Sequence, residues 1–137
     1  MKKRIFGFVL VLCMLMGLAV VPAHADSGTC GTGVTWELTS GGTLTISGSG
    51  AIDEHESLNP PWNRFNVKKI IIGDGITAIG KSAFDGCINA TSATIGSSVT
   101  TIGDNAFGSC QELTSVVIPD NVTYVGSSAF SNCYKLD

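Results

Sequence analysis

Charge is scarce in this 137-residue chain, and basic charge most of all. Eight Lys and Arg stand against eleven Asp and Glu, for a net charge of −3 at pH 7. Three of the eight bases, Lys2, Lys3 and Arg4, sit at the extreme N-terminus. Past residue 25 only Arg64, Lys68, Lys69, Lys81 and Lys135 remain, against all eleven acids, so the net charge there is −6. Five scattered bases make no phosphate-binding patch, which excludes nucleic acid as a partner. Histidine is nearly absent, and His55 is the one His past residue 25. There is no C-x-x-C, no H-E-x-x-H and no Ca²⁺-loop spacing, so no metal site is expected. The chain also lacks G-x-S-x-G and a His placed to activate a serine, and its glycines fit no phosphate loop. No catalytic residues and no cofactor are expected. What is plentiful past residue 25 is Ser plus Thr, 27 in all, with 15 Gly. With Ile and Val these suit turns and strands better than long helices.

A single long apolar run, the 17 residues from Ile5 to Val21, comes after the basic start. It is slightly short of the ~18–20 residues that span a bilayer. Pro22 breaks it, and Ala23-His24-Ala25 places small residues where a signal peptidase reads them. Residues 1–25 are therefore expected to be an export signal, cleaved to leave Asp26 first. Cys13 follows Leu12, where a lipidation site requires a small residue. Membrane contact is then limited to the signal before cleavage, and the product acts outside the cytoplasm.

Self-similarity dominates the C-terminal half. A period of 23 runs from Val67, with units opening at Val67, Ala90 and Leu113 and a fourth just begun at Leu136. Ile72, Ile95 and Ile118 align; so do Gly80, Gly103 and Gly126, the Ala-Phe pairs ending at Phe84, Phe107 and Phe130, and Cys87, Cys110 and Cys133. Each unit opens with an L-x-x-L-x-L pattern, as in Val67-x-x-Ile70-x-Ile72, the strand signature of leucine-rich repeats. Alternation along a strand turns Ile70 and Ile72 inward. Lys69, Ile71, Ser92, Thr94, Ser115 and Val117 then face outward and form the candidate binding face. A turn comes after each strand, where Gly75 and Asn121 suit a left-handed position. The Ala-Phe pair is expected on a helical or 3₁₀ turn closing the coil, each Phe stacking on the next. No unit buries its own apolar edge, so neighbours must cover it. The predicted fold is mainly β: a leucine-rich-repeat solenoid over 67–137, capped by residues 26–66.

In that N-terminal block Val34-Thr35-Trp36-Glu37-Leu38 and Thr43-Leu44-Thr45-Ile46 alternate apolar with polar around Thr39-Ser40-Gly41-Gly42. This predicts a β-hairpin with Val34, Trp36, Leu38, Leu44 and Ile46 on one face, a suitable lid for the first repeat. Residues 53–61 read as a polar loop.

The repeats, of the form I-P/G-x-x-V-T-x-I-G-x-x-A-F-x-x-C, resemble the bacterial surface-antigen (BspA-type) leucine-rich repeats. The block before them, with Gly28-Thr29-Cys30-Gly31, Trp36-Glu37-Leu38, the stretch Gly42 to Gly50 and Pro61-Trp62, resembles the leader of such arrays. The second unit departs from the pattern with Ala90, Ala93 and Gly96. The resemblance implies a secreted or cell-surface protein, often adhesive toward host or cell-surface proteins, and no enzymatic activity.

Four cysteines lie past the signal. Equivalent residues of stacked strands sit ~4.8 Å apart. Their side chains point in parallel, and bridging one pair would strand the third. Cys87, Cys110 and Cys133 are therefore expected as a ladder of buried thiols acting as small hydrophobes, with Cys30 left open between free and bridged. Asp53-Glu54-His55-Glu56 is the one dense ionisable cluster; adjacent loop residues seldom converge on a point, and a solvated loop is expected. Two sequons, Asn89-Ala90-Thr91 and Asn121-Val122-Thr123, lie in the repeat turn pattern, and repeat geometry accounts for them.

Two functions fit. One is a protein-binding module that uses the outward face; the other is a structural spacer presenting a domain encoded downstream. Three strands at ~4.8 Å spacing and ~13 Å length offer on the order of 190 Å², against about 800 Å² per partner in a standard interface. Unit three is expected to leave Val116, Ile118, Val122, Val125 and Phe130 on an uncovered edge, which marks the chain as an N-terminal piece of a longer protein or a truncated product. Anchoring, if any, then falls to a downstream region.

Overall fold

The computed structural model describes residues 25–137. The expected export signal lies outside the described residues, apart from its last one. Among the described residues ten strands and one short 3₁₀ helix occur in this order: β1 Asp26–Gly31, β2 Val34–Leu38, β3 Thr43–Gly48, β4 Gly50–Ala51, the 3₁₀ helix Arg64–Asn66, β5 Lys69–Ile72, β6 Ile76–Ile79, β7 Ser92–Thr94, β8 Thr101–Ile102, β9 Ser115–Val117 and β10 Tyr124–Val125. They form a six-stranded sheet in the order β1-β2-β3-β5-β7-β9 and a four-stranded sheet in the order β10-β8-β6-β4. This is a β-solenoid. Each coil runs one strand in the large sheet, a tight turn, one strand in the small sheet, and a return through linked turns.

The leader does more than cover the end. β2 and β3 are the expected hairpin, with Trp36 opposite Ile46 and Leu38 opposite Leu44. β3 then pairs in parallel with β5, Leu44 beside Ile70 and Ile46 beside Ile72. β4 pairs in parallel with β6. Residues 43–62 are therefore a coil in their own right, and β1 and β2 seal it by switching to antiparallel pairing. β1 carries no apolar alternation, gives only Cys30 to the core and pairs along its backbone, Gly28 opposite Trp36. A Cβ on Gly28 would lie 2.9 Å from the indole Nε1, so the glycine makes room for the Trp.

The coil interior is filled as strand alternation requires. Leu44, Ile46, Ile70, Ile72, Ile76, Ile79, Ile102 and Leu113 are all at most 2% exposed. Ala90 and Ala93 are buried too, so the small residues of the second unit lie in the interior. Gly96 is small for another reason: a Cβ there would lie 2.3 Å from the Gly73 carbonyl oxygen of the coil above.

The return side differs from the expectation. The Ala-Phe segments are neither α nor 3₁₀ helix. They are chains of i→i+3 turns, with Ala83 N–H donating to Gly80 O at 3.2 Å, Cys87 to Phe84 O at 3.2 Å and Ala90 to Cys87 O at 3.1 Å. Helical continuation is broken because Ser82 and Gly86 adopt φ of 57° and 79°, a hand that a right-handed helix excludes. Both corners recur every 23 residues, as Asn105 and Ser128 (55° and 58°) and as Ser109 and Asn132 (56° and 59°). The turns after the strands also depart from the expectation: neither Gly75 nor Asn121 is left-handed. Each of those turns closes by an i→i+3 bond, Ile76 N–H to Gly73 O at 3.2 Å and Val122 N–H to Pro119 O at 3.1 Å.

Coils are fastened on the return side by backbone bonds to the next coil, Phe84 N–H to Ala106 O at 2.7 Å and Phe107 N–H to Ala129 O at 2.8 Å. Near the strand starts the direction reverses: Thr91 and Thr114 N–H donate to Lys68 and Thr91 O of the preceding coil at 2.9 and 3.0 Å. Threonine hydroxyls add a second tie along the same lines, as Thr100 Oγ1 to Thr77 O at 3.2 Å and Thr123 Oγ1 to Thr100 O at 3.3 Å. Much of the Ser/Thr content therefore has a local structural use. At the far end Val117, Ile118, Tyr124, Val125 and Tyr134 are exposed, while Val116, Val122 and Phe130 are partly buried against the core.

Candidate functional site

The candidate binding face is the outer surface of the six-stranded sheet. Parallel register aligns its residues in rows. Lys69, Ser92 and Ser115 form one row and Ile71, Thr94 and Val117 the next. β3 extends both rows, Thr43 beside Lys69 and Thr45 beside Ile71, and β2 adds Glu37 beside Thr45. Lys69, Thr94, Ser115 and Val117 are exposed; Ile71 and Ser92 are half-buried. Val117 is 77% exposed, so it is the most accessible apolar contact on the face. The face is twice as wide as the repeats alone indicate. Six strands at ~4.8 Å spacing and ~13 Å length give about 370 Å². The leader strands supply half of it; for β2 and β3 the signal in the sequence was the polar half of the alternation that marked the hairpin, and β1 carried none.

Behind this face runs the aromatic column. Phe84 and Phe107 stack with centroids 5.2 Å apart and planes at 17°, and Phe107 and Phe130 at 5.2 Å and 1°. Trp62 continues the column onto Phe84 at 5.3 Å and 21°. Trp36 and His55 close it edge-on, each 5.9 Å from Trp62. Sequence reasoning quoted Trp62 only as part of the leader; it stands 22 residues before Phe84, one off the 23-residue register, so the period did not place it in the column.

Cys30, Cys87, Cys110 and Cys133 are all free thiols. Cys110 Sγ donates to Phe84 O at 3.4 Å and Cys133 Sγ to Phe107 O at 3.1 Å, so each thiol is tied to the coil above. Burial pushes the Cys30 thiol up to about 11, with the Asp53 charge adding to it. Burial likewise raises Cys87 to about 12. Cys110 is raised by the neighbouring Cys133 thiol and by burial, and the same neighbour lowers Cys133. Burial and these shifts disfavour the thiolate along the ladder, least at half-buried Cys133.

The Asp53–Glu56 loop is solvated in its acids, but His55 turns inward onto Trp62. Burial lowers the His55 pKa against an opposing pull from Asp53. Among the described residues no group of three His, Cys, Asp or Glu is placed to hold a metal ion, and no helix is long and apolar enough to cross a membrane.

Stacked parallel coils of 23 residues with an inward Leu/Ile/Val strand pattern define a leucine-rich-repeat solenoid. The family model for the BspA type leucine rich repeat region (6 copies) matches residues 62–137, more than half of the sequence. The chain belongs to that family. A leucine-rich repeat protein from Eubacterium ventriosum is similar in structure, with a TM-score of 0.74 and 33% identity over 80% of this chain and 30% of the other. The chain thus spans less than a third of that relative's length. A T. pallidum leucine-rich repeat protein (TM-score 0.46, 19% identity, 76% of this chain and 66% of the other) and a leucine rich cell surface protein from Faecalibacterium prausnitzii (0.34, 20%, 82% and 53%) are more distant. No curated protein matches the sequence.

Proposed function

We propose that this chain is a secreted or cell-surface, non-enzymatic module that binds a protein partner on the outer face of its six-stranded sheet. The observation that carries this reading is the continuous outer face from β1 to β9, with small hydroxyl side chains around the half-buried Ile71 and the accessible Val117. Short polar side chains on a rigid sheet lose little rotamer freedom on binding, and the two aliphatic positions offer apolar area to desolvate. The basic start, the apolar run and Ala23-His24-Ala25 support export, and the membership in a family that includes surface proteins supports the location. The face of about 370 Å² is under half of a standard interface, so loops or further coils complete it.

The test is capture of extracted bacterial and host surface proteins on the immobilised protein, read against two charge-adding variants. Thr94→Arg with Val117→Arg on the large sheet is expected to abolish capture, and Thr77→Arg on the small sheet to leave it intact. Capture that survives the first variant refutes the face. The alternative function is a spacer that presents another domain, and the fact that the chain spans 30% of its Eubacterium ventriosum relative favours it to that extent. No capture by the wild-type protein would decide for the spacer.

A further inference from the structure

Residues 53–61 form a strap. They leave the small sheet after Ile52, cross the return side of the first repeat and rejoin the column at Trp62. Four hydrogen bonds hold the strap down. Asp53 N–H donates to Cys30 O at 2.8 Å and His55 N–H to Lys81 O at 2.9 Å. Ser57 Oγ donates to Asp85 Oδ2 at 2.6 Å, and Arg64 Nη1 donates to Leu58 O. The core takes Ile52 before the strap and Trp62 after it, and no residue between them. A segment with so little apolar burial is among the first parts of a fold to open.

His55 is the strap's inward side chain. Its ring lies edge-on to Trp62, with centroids 5.9 Å apart and planes at 81°. Its Nε2 is sealed from solvent and has no hydrogen-bond partner. Ser82 Oγ lines the same corner, is sealed too and is likewise unpartnered, so it does not serve Nε2. The neutral ring can keep its one proton on Nδ1 and leave only a lone pair at Nε2. The imidazolium carries a proton on both nitrogens. Protonation thus places a charged N–H where neither water nor an acceptor meets it, which is costly. The charged groups around the ring are Asp53, Glu54 and Glu56 on the strap and Lys81 on the first repeat, with Asp85 held by Ser57. Burial lowers the His55 pKa more than the Asp53 charge raises it.

We propose that the strap is an acid-operated latch: protonation of His55 releases residues 53–60 from the first repeat and bares the Trp62 indole, while the coils stay stacked. The coils stay because β3–β5 pairing, β4–β6 pairing and the stack of Trp62 on Phe84 use no strap residue. Once released, the imidazole returns to its ordinary value of 6.5. Between that value and the closed-state one, the opening constant rises by up to about tenfold per pH unit of acidification. The latch does not depend on the large-sheet face and is tested apart from it.

The chain has two Trp, so Trp36→Phe leaves Trp62 as the single reporter. Acrylamide quenching of Trp62 in that variant is expected to rise several-fold from pH 7.5 to pH 5.0. The rise is expected to be reversible, with far-UV dichroism and the amide protection of β5 to β8 unchanged. His55→Gln, added to the same background, is expected to make quenching independent of pH. Ser57→Ala removes one of the strap's ties, and is expected to move the onset of quenching to higher pH. A merely structural role for Ser57 would leave that onset in place. The proposal is overturned if Trp62 quenching is flat across this range, or if His55→Gln shows the same rise. It is also overturned if quenching rises only together with loss of the dichroism signal, which is global unfolding, or if Ser57→Ala leaves the onset unmoved. A flat profile would mean that a bound water accepts from Nε2 and the strap stays closed.

Discussion

The indole of Trp62 lies on the ring of Phe84, centroids 5.3 Å apart and planes at 21°, as though it were the phenylalanine of an earlier repeat. The leader therefore joins the solenoid in three ways at once: through β3 on the large sheet, β4 on the small sheet and Trp62 in the column. A coil that shares all three sides with its neighbour cannot detach without uncovering the first repeat. The leader and repeats are expected to unfold as one unit.

The column sets the first stability prediction. Phe107 is fully buried between Phe84 and Phe130. Phe107→Ala removes that ring and leaves a cavity, at a cost of about 3–5 kcal/mol. Thr94→Ala, on the exposed outer face, costs under about 0.5 kcal/mol. Denaturation midpoints measured side by side check this, and similar midpoints for the two variants would count against the column as a source of stability.

The thiols are expected to react in a fixed order. The Cys133 thiol is lowered by the neighbouring Cys110 and sits half-buried in the last described coil. Cys30 and Cys87 are raised by burial, to about 11 and about 12. Alkylation of the native protein at pH 8 should label Cys133 first, and the other three only after denaturant is added. Peptide mapping reads the order directly. Early labelling of Cys87 or Cys110 would show that the coils open locally.

The parts of the fold that were legible in the sequence are those that repeat a side chain type at a fixed position: the period of 23, the inward Ile70 and Ile72, and the Phe and Cys ladders. β1 was not legible: Asp26 to Gly31 pairs by backbone, and Gly28 is there to make room for Trp36. The left-handed corners were missed because three different residue types, Ser, Asn and Gly, serve the same φ. The outer face was legible as far as Lys69, but its extension across β3 and β2 depends on a pairing of β3 with β5 that no local pattern states.

His55 gives a pH dependence with a definite sign. Its folded pKa is lowered from the ordinary 6.5 by burial. Between the folded and unfolded values the unfolded chain binds more protons, so stability rises with pH across that window. The His55 contribution is fully present above pH 6.5 and is lost as the pH falls below it toward the folded value. Urea midpoints are expected to fall from pH 7.5 to pH 5.5, and His55→Gln to flatten the part of the fall nearest pH 6.5. An unchanged slope in the variant would assign the dependence to other groups.

The left-handed corners are testable at Ser128, which is exposed and holds a φ of 58°. A non-glycine residue in that region costs roughly 1–2 kcal/mol. Ser128→Gly is expected to stabilise the protein by up to about 1 kcal/mol, and Ser128→Val to destabilise it, since branching at Cβ makes the region harder still to occupy. Equal midpoints for the two variants would show that the corner is not held in this conformation in solution.

Gly75 separates two explanations for one residue. A glycine in a turn suggests a left-handed φ, and in that case Asn would serve nearly as well. The structure gives a different reason. Its φ is not left-handed, and a Cβ there would lie 2.1 Å from the Gly48 carbonyl oxygen, backbone against backbone. Neither side of that contact is the far end of a flexible chain, so a side chain forces the leader coil and the first repeat apart. Overpacking of this kind costs about 1–3 kcal/mol. Gly75→Asn and Gly75→Ala are therefore expected to be destabilising by similar amounts. Gly41→Ala, whose added Cβ meets nothing nearer than 3.9 Å, is expected to be close to neutral. Thermal midpoints of the three variants decide the matter. If Gly75→Asn is tolerated while Gly75→Ala is not, the turn is left-handed after all and the close approach of the two coils is not what requires the glycine.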